Sequence, residues 1–547
     1  MTLAQQRDNI GSGAALPWEN GVIPVPVLVK GQVRSPHHLS RQDLTAALEK
    51  LIAHPGFAGE SCAFTLGGNN VVAQLSGTSN TDARHTSARF LLTAKPDPRE
   101  LIESDMQQLS RDLMSLPFQE VLDYLGCLQQ VLREQKDEIL QALANVVPVT
   151  AQYPGEFDLL MQVLPELLDR EGIEQAVDFE LSLGGIRGRE FLDRWVSVKQ
   201  DCYQGVTGRI GDQIFSRSTR PSFSPQVRAC PTRQLHITAG NSPFVPFISW
   251  LRGTTTRGAL VVKSATESPL LAAVMATAIG KLDAAHPLRR HTSLVHWKGG
   301  DAKYEEQLFG PGAFDRVVVW GSEAAIRSVH QRSLHAKTVV FRPRYSVSLI
   351  GTEATSDRLS DAAELASTDS MISNQQACVS SLVHYVVGDE QHAIRYCEQL
   401  RDKLARWDQQ WPRVLQGPLL GQLRMLKRTA LLHGRWFENG VSPNVTSAVV
   451  LAARPFDIAR HPACRLVIVR QLDRAEDVLP YLSGSVSSLG VYGRETLAAI
   501  RDASTVAGVT SVMSLGESES VYPGMPNDGM RALSELVNWS SCVQADP

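Results

Sequence analysis

The pattern of apolar and polar positions changes along the chain. Residues 20–95 contain short apolar runs separated by Gly, Asn, Ser and Pro, which is typical of strands and turns. From about Asp97 to Asp178, Leu, Met and Val recur at intervals of three and four residues. This spacing predicts amphipathic helices whose apolar stripe faces a core. We therefore expect a β-rich N-terminal region followed by a helical segment.

Beyond about Leu235, strand-like apolar runs alternate with helical segments. The runs are LHITAG, ALVVKSA, TSLVHW, DRVVVWG and KTVVFRP. This alternation indicates βαβ units and a parallel sheet, in which ligands bind beyond the carboxyl ends of the strands. A second alternation occupies about 345–515 and includes SVSLIG, SAVVLAA, CRLVIVRQL and GVTSVMSL. The predicted fold is therefore α/β, with two sheet units after a β-rich N-terminal region.

Composition narrows the class of protein. The 547 residues are 43% hydrophobic and 20% charged, which fits a globular protein of two or three domains. The net charge of -3 comes from interspersed residues and argues against a nucleic acid partner. Neither a signal sequence nor an uninterrupted apolar span is visible, and the eight cysteines are scattered without zinc-ligand spacing. We expect a cytoplasmic protein with free thiols, no membrane span and no metal site.

The common chemical motifs are absent, and one cysteine segment remains. There is no GxGxxG, GxxxxGK[ST], GxSxG or HExxH. Cys378 lies in MISNQQACVSS, between a polar Asn-Gln-Gln run and small residues that permit close approach of a backbone. Taken alone, a cysteine of this kind is more often a buried structural thiol than a nucleophile.

Cys378 in NQQACVSS resembles the catalytic loop of aldehyde dehydrogenases, and more specifically that of the LuxC-like long-chain acyl-CoA reductases in the same superfamily. Three further segments occur in the superfamily's order: LHITAGNSPFVPFISWLRG, LVVKSATESPL and VVVWGSEAAI. They resemble the oxyanion-hole loop, the lysine strand that holds the adenosine ribose and the Gly-Ser loop over the cofactor phosphates. The spacings are also similar: 22 residues from Asn241 to Lys263, 57 from Gly321 to Cys378 and 137 from Asn241 to Cys378. The similarity covers roughly 190–545, where MPNDGMRALSELVNW resembles the C-terminal piece of the acyl-CoA reductases.

The resemblance implies an aldehyde dehydrogenase-like fold with four segments. These are a β-rich region at 1–96, a helical segment with a dinucleotide-binding domain at 97–344, a catalytic domain at 345–515 and a C-terminal segment at 516–547. It also implies that Cys378 is the nucleophile and that Asn241 helps to bind the oxyanion. The alternative for Asn241 is a simple turn after Gly240.

The same resemblance assigns the cofactor site to Lys263, Thr266, Gly321 and Ser322. Members that use NAD often carry a glutamate where Thr266 stands, so NADPH is the expected cofactor and NADH is the alternative. Lys263 could instead be a solvated lysine at a strand end. Gly321 and Ser322 could form a strand-to-helix turn with Ser322 as the N-cap.

One departure from the superfamily bears on the reaction. Oxidising members carry a glutamate base in a loop that here reads YSVSLIG, with Ser348 the nearest match. Loss of this base favours reduction of an acyl thioester to an aldehyde through an acyl-Cys378 intermediate, because water attack would waste the intermediate as free acid. The alternatives are an aldehyde-oxidising dehydrogenase and a cofactor-free Cys acyltransferase or acyl-binding partner.

The expected substrate is an acyl group on coenzyme A or on an acyl-carrier protein. The resemblance also implies a homo-oligomer and allows an acyl-transferring partner enzyme. Other reactive side chains have structural interpretations. His286, His291 and His296 are expected on the surface or in the core, since they lack paired acidic or Cys partners. His236 precedes the Asn241 loop, and the two interpretations are a residue that lines the site and a satisfied core histidine. Cys397 and Cys464 are expected to be structural.

Overall fold

The computed structural model describes a large part of the chain. The described residues are 22–34, 62–66, 69–75, 89–93, 95–134, 162–198, 207–210, 213–216, 225–240, 242, 244–265, 270–297, 299–410, 417–441, 444–463, 465–518, 520 and 522–542. None of the helices in these ranges is long and apolar enough to cross a membrane.

The first part of the chain contains fifteen of the described strands and ten α-helices. The strands are β1 (Val22–Val25), β2 (Val27–Val29), β3 (Gln32–Arg34), β4 (Cys62–Leu66), β5 (Asn69–Leu75), β6 (Arg89–Thr93), β7 (Val196–Ser197), β8 (Thr207–Ile210), β9 (Gln213–Ser216), β10 (Gln226–Cys230), β11 (Arg233–Ile237), β12 (Ala259–Lys263), β13 (Thr292–Val295), β14 (Arg316–Trp320) and β15 (Lys337–Phe341). The helices are α1 (Pro98–Leu101), α2 (Met106–Leu109), α3 (Phe118–Glu134), α4 (Arg170–Glu180), α5 (Gly188–Asp193), α6 (Phe244–Thr255), α7 (Leu270–Ile279), α8 (Pro287–Arg290), α9 (Ala302–Leu308) and α10 (Glu323–Arg332).

The second part of the chain contains eight described strands and five α-helices. The strands are β16 (Tyr345–Ile350), β17 (Ser381–Val387), β18 (Gly434–Val441), β19 (Asn444–Ala452), β20 (Leu466–Leu472), β21 (Val486–Tyr492), β22 (Ser511–Ser514) and β23 (Asn538–Cys542). The helices are α11 (Leu359–Met371), α12 (Glu390–Gln410), α13 (Gly417–His433), α14 (Arg494–Val506) and α15 (Ala532–Leu536). Short 3-10 segments lie at Ile458–Arg460 and Ala475–Tyr481, a turn with left-handed residues lies at Ile372–Gln375, and a π-helical turn lies at Ser110–Met114.

Two seven-stranded sheets form the body of the protein. The first has the order β15-β14-β11-β12-β13-β2-β3, and the second has the order β18-β19-β20-β17-β16-β21-β22. Pairing is parallel from β15 to β13 and from β19 to β22, with antiparallel strands at one edge of each sheet. The α/β prediction and its two sheet units are confirmed.

Apolar side chains determine which elements are buried. All five residues of β12, ALVVK, are buried, which is expected of a central parallel strand covered on both faces. Helix α3 buries Phe118, Val121, Leu122 and Leu125, at the three- and four-residue spacing that places them on one side. Within the stretch from Asp97 to Asp178 that the sequence predicts to be helical, most of the described residues are helical, and short turns join the helices.

Both ends of the chain contribute to the first sheet and its surroundings. Strands β2 and β3, near the N-terminus, extend the first sheet beyond β13. Strand β23 pairs antiparallel with β10, and the preceding helix α15 packs against α6 and α4. The C-terminal segment therefore returns to the region where the first sheet presents its loops.

Candidate active site

A single cavity collects most of the predicted site residues. Its volume is about 1930 Å³, and its walls include Lys263, Gly321, Ser322 and Cys378. The two remaining predictions, Asn241 and Thr266, lie outside the described residues. Their described neighbours Gly240, Ser242 and Ala265 line the same cavity.

The loop that carries Cys378 has an unusual backbone. The residues Ser373, Asn374 and Gln375 have φ angles of 43°, 56° and 64°, a left-handed conformation that is uncommon for residues with a side chain. The side chain of Gln375 holds the loop to the second sheet: its Nε2 donates to the carbonyl of Leu466 at 2.9 Å, and its Oε1 accepts from the Leu466 N–H at 2.9 Å. Strain of this kind persists only where the surroundings fix it.

Asn374 fixes the loop from another side. Its Oδ1 accepts a hydrogen bond from Nε of Arg465 at 3.1 Å, and Arg465 is itself fully buried and paired with Asp408. The side chains of Asn374 and Gln375 therefore fix the loop that carries the cysteine. Asn374 and Gln375 are buried, whereas Gln376 is exposed and lines the cavity together with Cys378.

The surroundings of Cys378 hold its thiol in the protonated form. Burial raises the pKa of the Cys378 thiol to about 11, and the negative charge of Asp528 contributes to the rise. A hydrogen bond with the Ser487 hydroxyl and the positive charge of Arg344 act in the opposite direction. Because a thiolate is the nucleophile in acyl transfer, this cysteine needs a group that accepts its proton.

Asp528 is the carboxylate that the sequence analysis missed. It lines the cavity in the C-terminal segment, about 150 residues after Cys378, and its side chain is 7% exposed. Nothing near Cys378 in the sequence indicates it. The available signal is the Asn-Asp-Gly turn within MPNDGMRALSELVNW, which marks a loop but no partner.

Lys263 ends β12 and points its ammonium group into a largely buried part of the site. Its Nζ donates to the carbonyl of Ser264 at 3.2 Å and lies 5.6 Å from the ring centre of Trp297. Burial lowers the pKa of Lys263 to about 8, while the nearby Glu305 acts against this shift. The structure does not support the alternative of a solvated strand-end lysine.

Gly321 and Ser322 connect β14 to α10. The Ser322 hydroxyl accepts a hydrogen bond from the backbone N–H of Ala325 at 3.3 Å, so Ser322 is the N-cap of the helix. The turn predicted as the structural alternative is therefore present. It also leaves the N-terminus of α10 facing the cavity, as an anion-binding helix end would require.

Ser348, the nearest match to the superfamily's glutamate, is not at the cavity. It is fully buried within β16, and its Oγ lies 2.7 Å from the Oγ of Ser381 on the neighbouring strand. Among the described residues that line the cavity, Ser348 is absent. A carboxylate at this position would lie inside the sheet.

The histidines have structural environments. His236 is buried beside Gln234, and burial lowers its pKa to about 3, so it is a neutral core residue. His291, in contrast, has acidic partners distant in sequence: its ring nitrogens lie 3.0 Å from Glu103 and 2.9 Å from Asp112. The expectation of a structural His291 is consistent with this placement, but the stated lack of acidic partners is wrong.

Two other groups bear on the predicted chemistry. Cys397 is fully buried in α12, as expected of a structural thiol, whereas Cys464 lies outside the described residues. Within the described residues, no group of three or more His, Cys, Asp or Glu side chains is arranged to hold a metal ion.

The fold of the chain is aldehyde dehydrogenase-like. It resembles the NADP-dependent glyceraldehyde-3-phosphate dehydrogenase from Bacillus halodurans C-125, solved with NADP, with a TM-score of 0.65 and 14% identity over 95% of this chain and 99% of that one. It also resembles a mutant of aldehyde dehydrogenase C from Pseudomonas syringae, solved with NAD⁺ and octanal, with a TM-score of 0.64 and 12% identity over 96% and 98% of the two chains. These similarities establish the fold.

Sequence comparison identifies the particular family. The family model described as acyl-CoA reductase (LuxC) matches residues 113–539, and the chain belongs to this family of oxidoreductases. A relative in Vibrio harveyi, the long-chain acyl-protein thioester reductase, is 26% identical over 359 residues, which are 63% of this chain and 72% of the relative. The protein of the same name in Photorhabdus laumondii is 25% identical over 356 residues, with the same coverage. The family predicted from the sequence motifs is confirmed.

Proposed function

We propose that the protein reduces a long-chain acyl thioester to an aldehyde through an acyl-Cys378 intermediate. The observation that carries this proposal is the shared cavity of Cys378, Lys263 and Ser322, found in a chain of the acyl-CoA reductase family. The curated relatives are called long-chain acyl-protein thioester reductases, which supports a long acyl chain on a thiol carrier. The carrier is coenzyme A or an acyl-carrier protein.

The first chemical step is transfer of the acyl group to sulfur. The Cys378 thiolate attacks the thioester carbonyl, and the carrier leaves as a thiol, so one thioester is exchanged for another. The oxyanion formed during this exchange needs preorganised donors, and we assign the Cys378 N–H and the Asn241 side chain to that role. The fixed loop around Gln375 supports the first assignment, because it fixes the direction of the Cys378 backbone.

The described residues at the other end of the cavity fit a nicotinamide dinucleotide. The largely buried ammonium group of Lys263 lies at the end of the parallel strand β12, and the capped N-terminus of α10 follows β14, with β11 between these two strands. Gly299 and Gly300 leave open space beside them, where a side chain would meet no atom within 4 Å. Lys263 would hold the adenosine ribose, and Gly321 and Ser322 would approach the pyrophosphate. When bound, the reduced nicotinamide supplies the hydride that turns the acyl group into an aldehyde.

We propose NADPH as the preferred cofactor, with NADH as the alternative. Two cations, Lys263 and Arg332, line this end of the cavity, and one carboxylate, Glu305, accepts hydrogen bonds from Trp297 and Arg332. Because Glu305 pairs with Arg332, the ammonium of Lys263 is available to a cofactor that carries an additional phosphate. The resemblance assigns the neutral Thr266 to the position where members that use NAD often carry a glutamate.

A reduction assay with separate readouts tests the function. The purified protein is mixed with NADPH and hexadecanoyl-CoA or the corresponding acyl-carrier protein, and NADPH absorbance, aldehyde and free acid are followed together. We expect equal amounts of NADPH consumed and aldehyde formed, with little free acid. Formation of acid from an aldehyde with NADP⁺, but no reduction of the thioester, would replace the proposal with an oxidising dehydrogenase. Acyl transfer without any cofactor dependence would replace it with an acyltransferase.

A further inference from the structure

The Asp528 carboxylate has the bonding capacity of a proton acceptor, and its charge acts on the Cys378 thiol. Both residues line the same cavity, and the Asp528 side chain is 7% exposed. Its Oδ1 forms no hydrogen bond with any part of the chain that the structure describes. Its charge is paired with Arg344, but a buried acceptor atom without a hydrogen bond is costly unless it has a use.

The backbone conformation at Asp528 indicates that the surrounding contacts fix the position of its side chain. Its φ angle is 51°, in the left-handed region that Asp and Asn tolerate better than most residues. The preceding residue, Asn527, accepts a hydrogen bond of 3.5 Å from Arg252, whose guanidinium lies over the rings of Trp320 and Phe341. The C-terminal segment is thus fixed to the first sheet at the residue before the carboxylate.

The charged groups around Asp528 come from three elements. Arg344, between β15 and β16, places its Nε 3.5 Å from Oδ1, and Nη1 of the same arginine donates to the Thr510 hydroxyl at 3.3 Å. Arg252 of α6 adds a second positive charge, which Glu180 of α4 partly offsets. Burial raises the pKa of Asp528, and the two arginines act against this rise.

The other carboxylates that line the cavity have partners elsewhere. Glu166 pairs with Arg133 at 2.9 Å, and Asp169 accepts a hydrogen bond from the Gly172 N–H at 2.8 Å. Glu180 accepts a hydrogen bond from the Leu533 N–H at 2.7 Å, and its negative charge stabilises the charged form of Arg252. Glu305 accepts hydrogen bonds from Trp297 and Arg332 at the end where Lys263 lies. Asp528 is the carboxylate whose charge reaches the Cys378 thiol among the described residues.

We propose that Asp528 accepts the Cys378 proton during acylation and returns it to the departing carrier thiol, with Arg344 as a positioning residue. As the bond forms between Sγ and the acyl carbon, the Sγ proton moves to the carboxylate. As the bond between the acyl carbon and the carrier sulfur breaks, the same proton moves to that sulfur. No net proton or electron is consumed in this exchange. The inference rests on the proposed function and assigns a further residue to its first step.

Two rate measurements on Asp528→Asn test the proposal. Asn matches the shape of Asp and tolerates the left-handed backbone, so the variant should fold. The first measurement is acylation of Cys378 by hexadecanoyl-CoA without cofactor, followed by intact mass. We expect it to slow by about 10² to 10⁴-fold, which is the usual contribution of general base catalysis. The second is alkylation of Cys378 by iodoacetamide at pH 7 to 9, which follows the thiolate fraction. It should become faster, since a negative charge beside the thiol is removed while Arg344 remains.

The opposite directions of the two rates distinguish proton transfer from other roles. If both rates fall, Asp528 only supports the structure, and if both rise, it only repels the thiolate. Either result overturns the proposal, as does an unchanged acylation rate. A matched control is Glu535→Gln in the same C-terminal segment, where the carboxylate pairs with Lys337 at 2.6 Å, and it should leave both rates unchanged. If the unaltered protein forms no acyl adduct on Cys378, the proposed function itself fails.

Discussion

The Ser346 hydroxyl donates a hydrogen bond of 2.9 Å to the backbone carbonyl of Cys378. The Oγ of Ser346 also lies 2.6 Å from the Oγ of Ser488 on β21. Two strands of the second sheet, β16 and β21, therefore fix the backbone of the proposed nucleophile. A residue held in this way is suited to chemistry that needs a precise approach of the acyl carbonyl.

Cys378→Ser is expected to abolish reduction of acyl thioesters by at least about 10³-fold, because a hydroxyl is a far weaker nucleophile than a thiolate. Binding of NADPH, measured by titration calorimetry, should change little, since Lys263 and α10 are untouched. The matched control is Cys127→Ser, an exposed cysteine on α3, which should retain full activity. An acyl adduct on a cysteine other than Cys378 would contradict the assignment.

The loop beneath Cys378 should depend on the buried Arg465. Replacing it by Met leaves Asp408, which is 8% exposed, without its cationic partner and removes the hydrogen bond to Asn374. Loss of one partner of a buried ion pair typically costs about 3–5 kcal/mol. Urea unfolding should show this decrease in the free energy of unfolding.

The control for that measurement is Arg460→Met. Arg460 forms an exposed pair with Asp457 at 3.4 Å, and such pairs contribute about 0–1 kcal/mol. Equal unfolding midpoints for Arg465→Met and the unaltered protein would show that the loop does not depend on the contacts of Arg465.

Binding of NADPH should weaken as pH rises through the pKa of Lys263. The value of about 8 means that the ammonium is present below this pH and is lost above it. The affinity measured by calorimetry should therefore fall between pH 7 and 9. Lys263→Met should bind NADPH at least about tenfold more weakly at pH 7 and should lose this pH dependence. The control is Lys303→Met, at an exposed position of α9, which should bind NADPH as the unaltered protein does. A pH-independent affinity in the unaltered protein would remove Lys263 from the cofactor site.

The sequence predicted the parts of the site that follow strands. Lys263 is the last residue of β12, Gly321 and Ser322 come directly after β14, and the apolar runs identify both strands. The position of Asp528 could not be predicted, because it depends on how a loop far along the chain packs against α6 and the β15–β16 connection. The acidic partners of His291 are hidden for the same reason, since they lie 188 and 179 residues away in sequence.

Thr266→Glu should shift the cofactor preference from NADPH toward NADH. A carboxylate three residues after Lys263 would repel a 2′-phosphate and could accept hydrogen bonds from the ribose hydroxyls. Thr266 lies outside the described residues, so this prediction follows from the resemblance of LVVKSATESPL to the ribose-binding strand. The ratio of the dissociation constants of the two cofactors is the measurement, with Thr266→Ser as the control. An unchanged ratio would show that this position does not read the ribose.

Ser348→Glu tests whether position 348, which matches the glutamate of oxidising members of the superfamily, faces the acyl group or the interior of the sheet. If Ser348 faced the acyl group, the new carboxylate would activate water and raise the release of free acid. The structure instead buries Ser348 completely within β16 and joins its Oγ to Ser381 at 2.7 Å. A charged side chain there has neither room nor a partner, so we expect Ser348→Glu to lower the free energy of unfolding by several kcal/mol. Ser348→Ala removes one hydrogen bond and should lower it by about 1 kcal/mol. Urea unfolding of both variants and acid release from acyl-CoA without NADPH are the two measurements. A stable Ser348→Glu protein that releases acid faster than the unaltered protein would show that position 348 faces the acyl group.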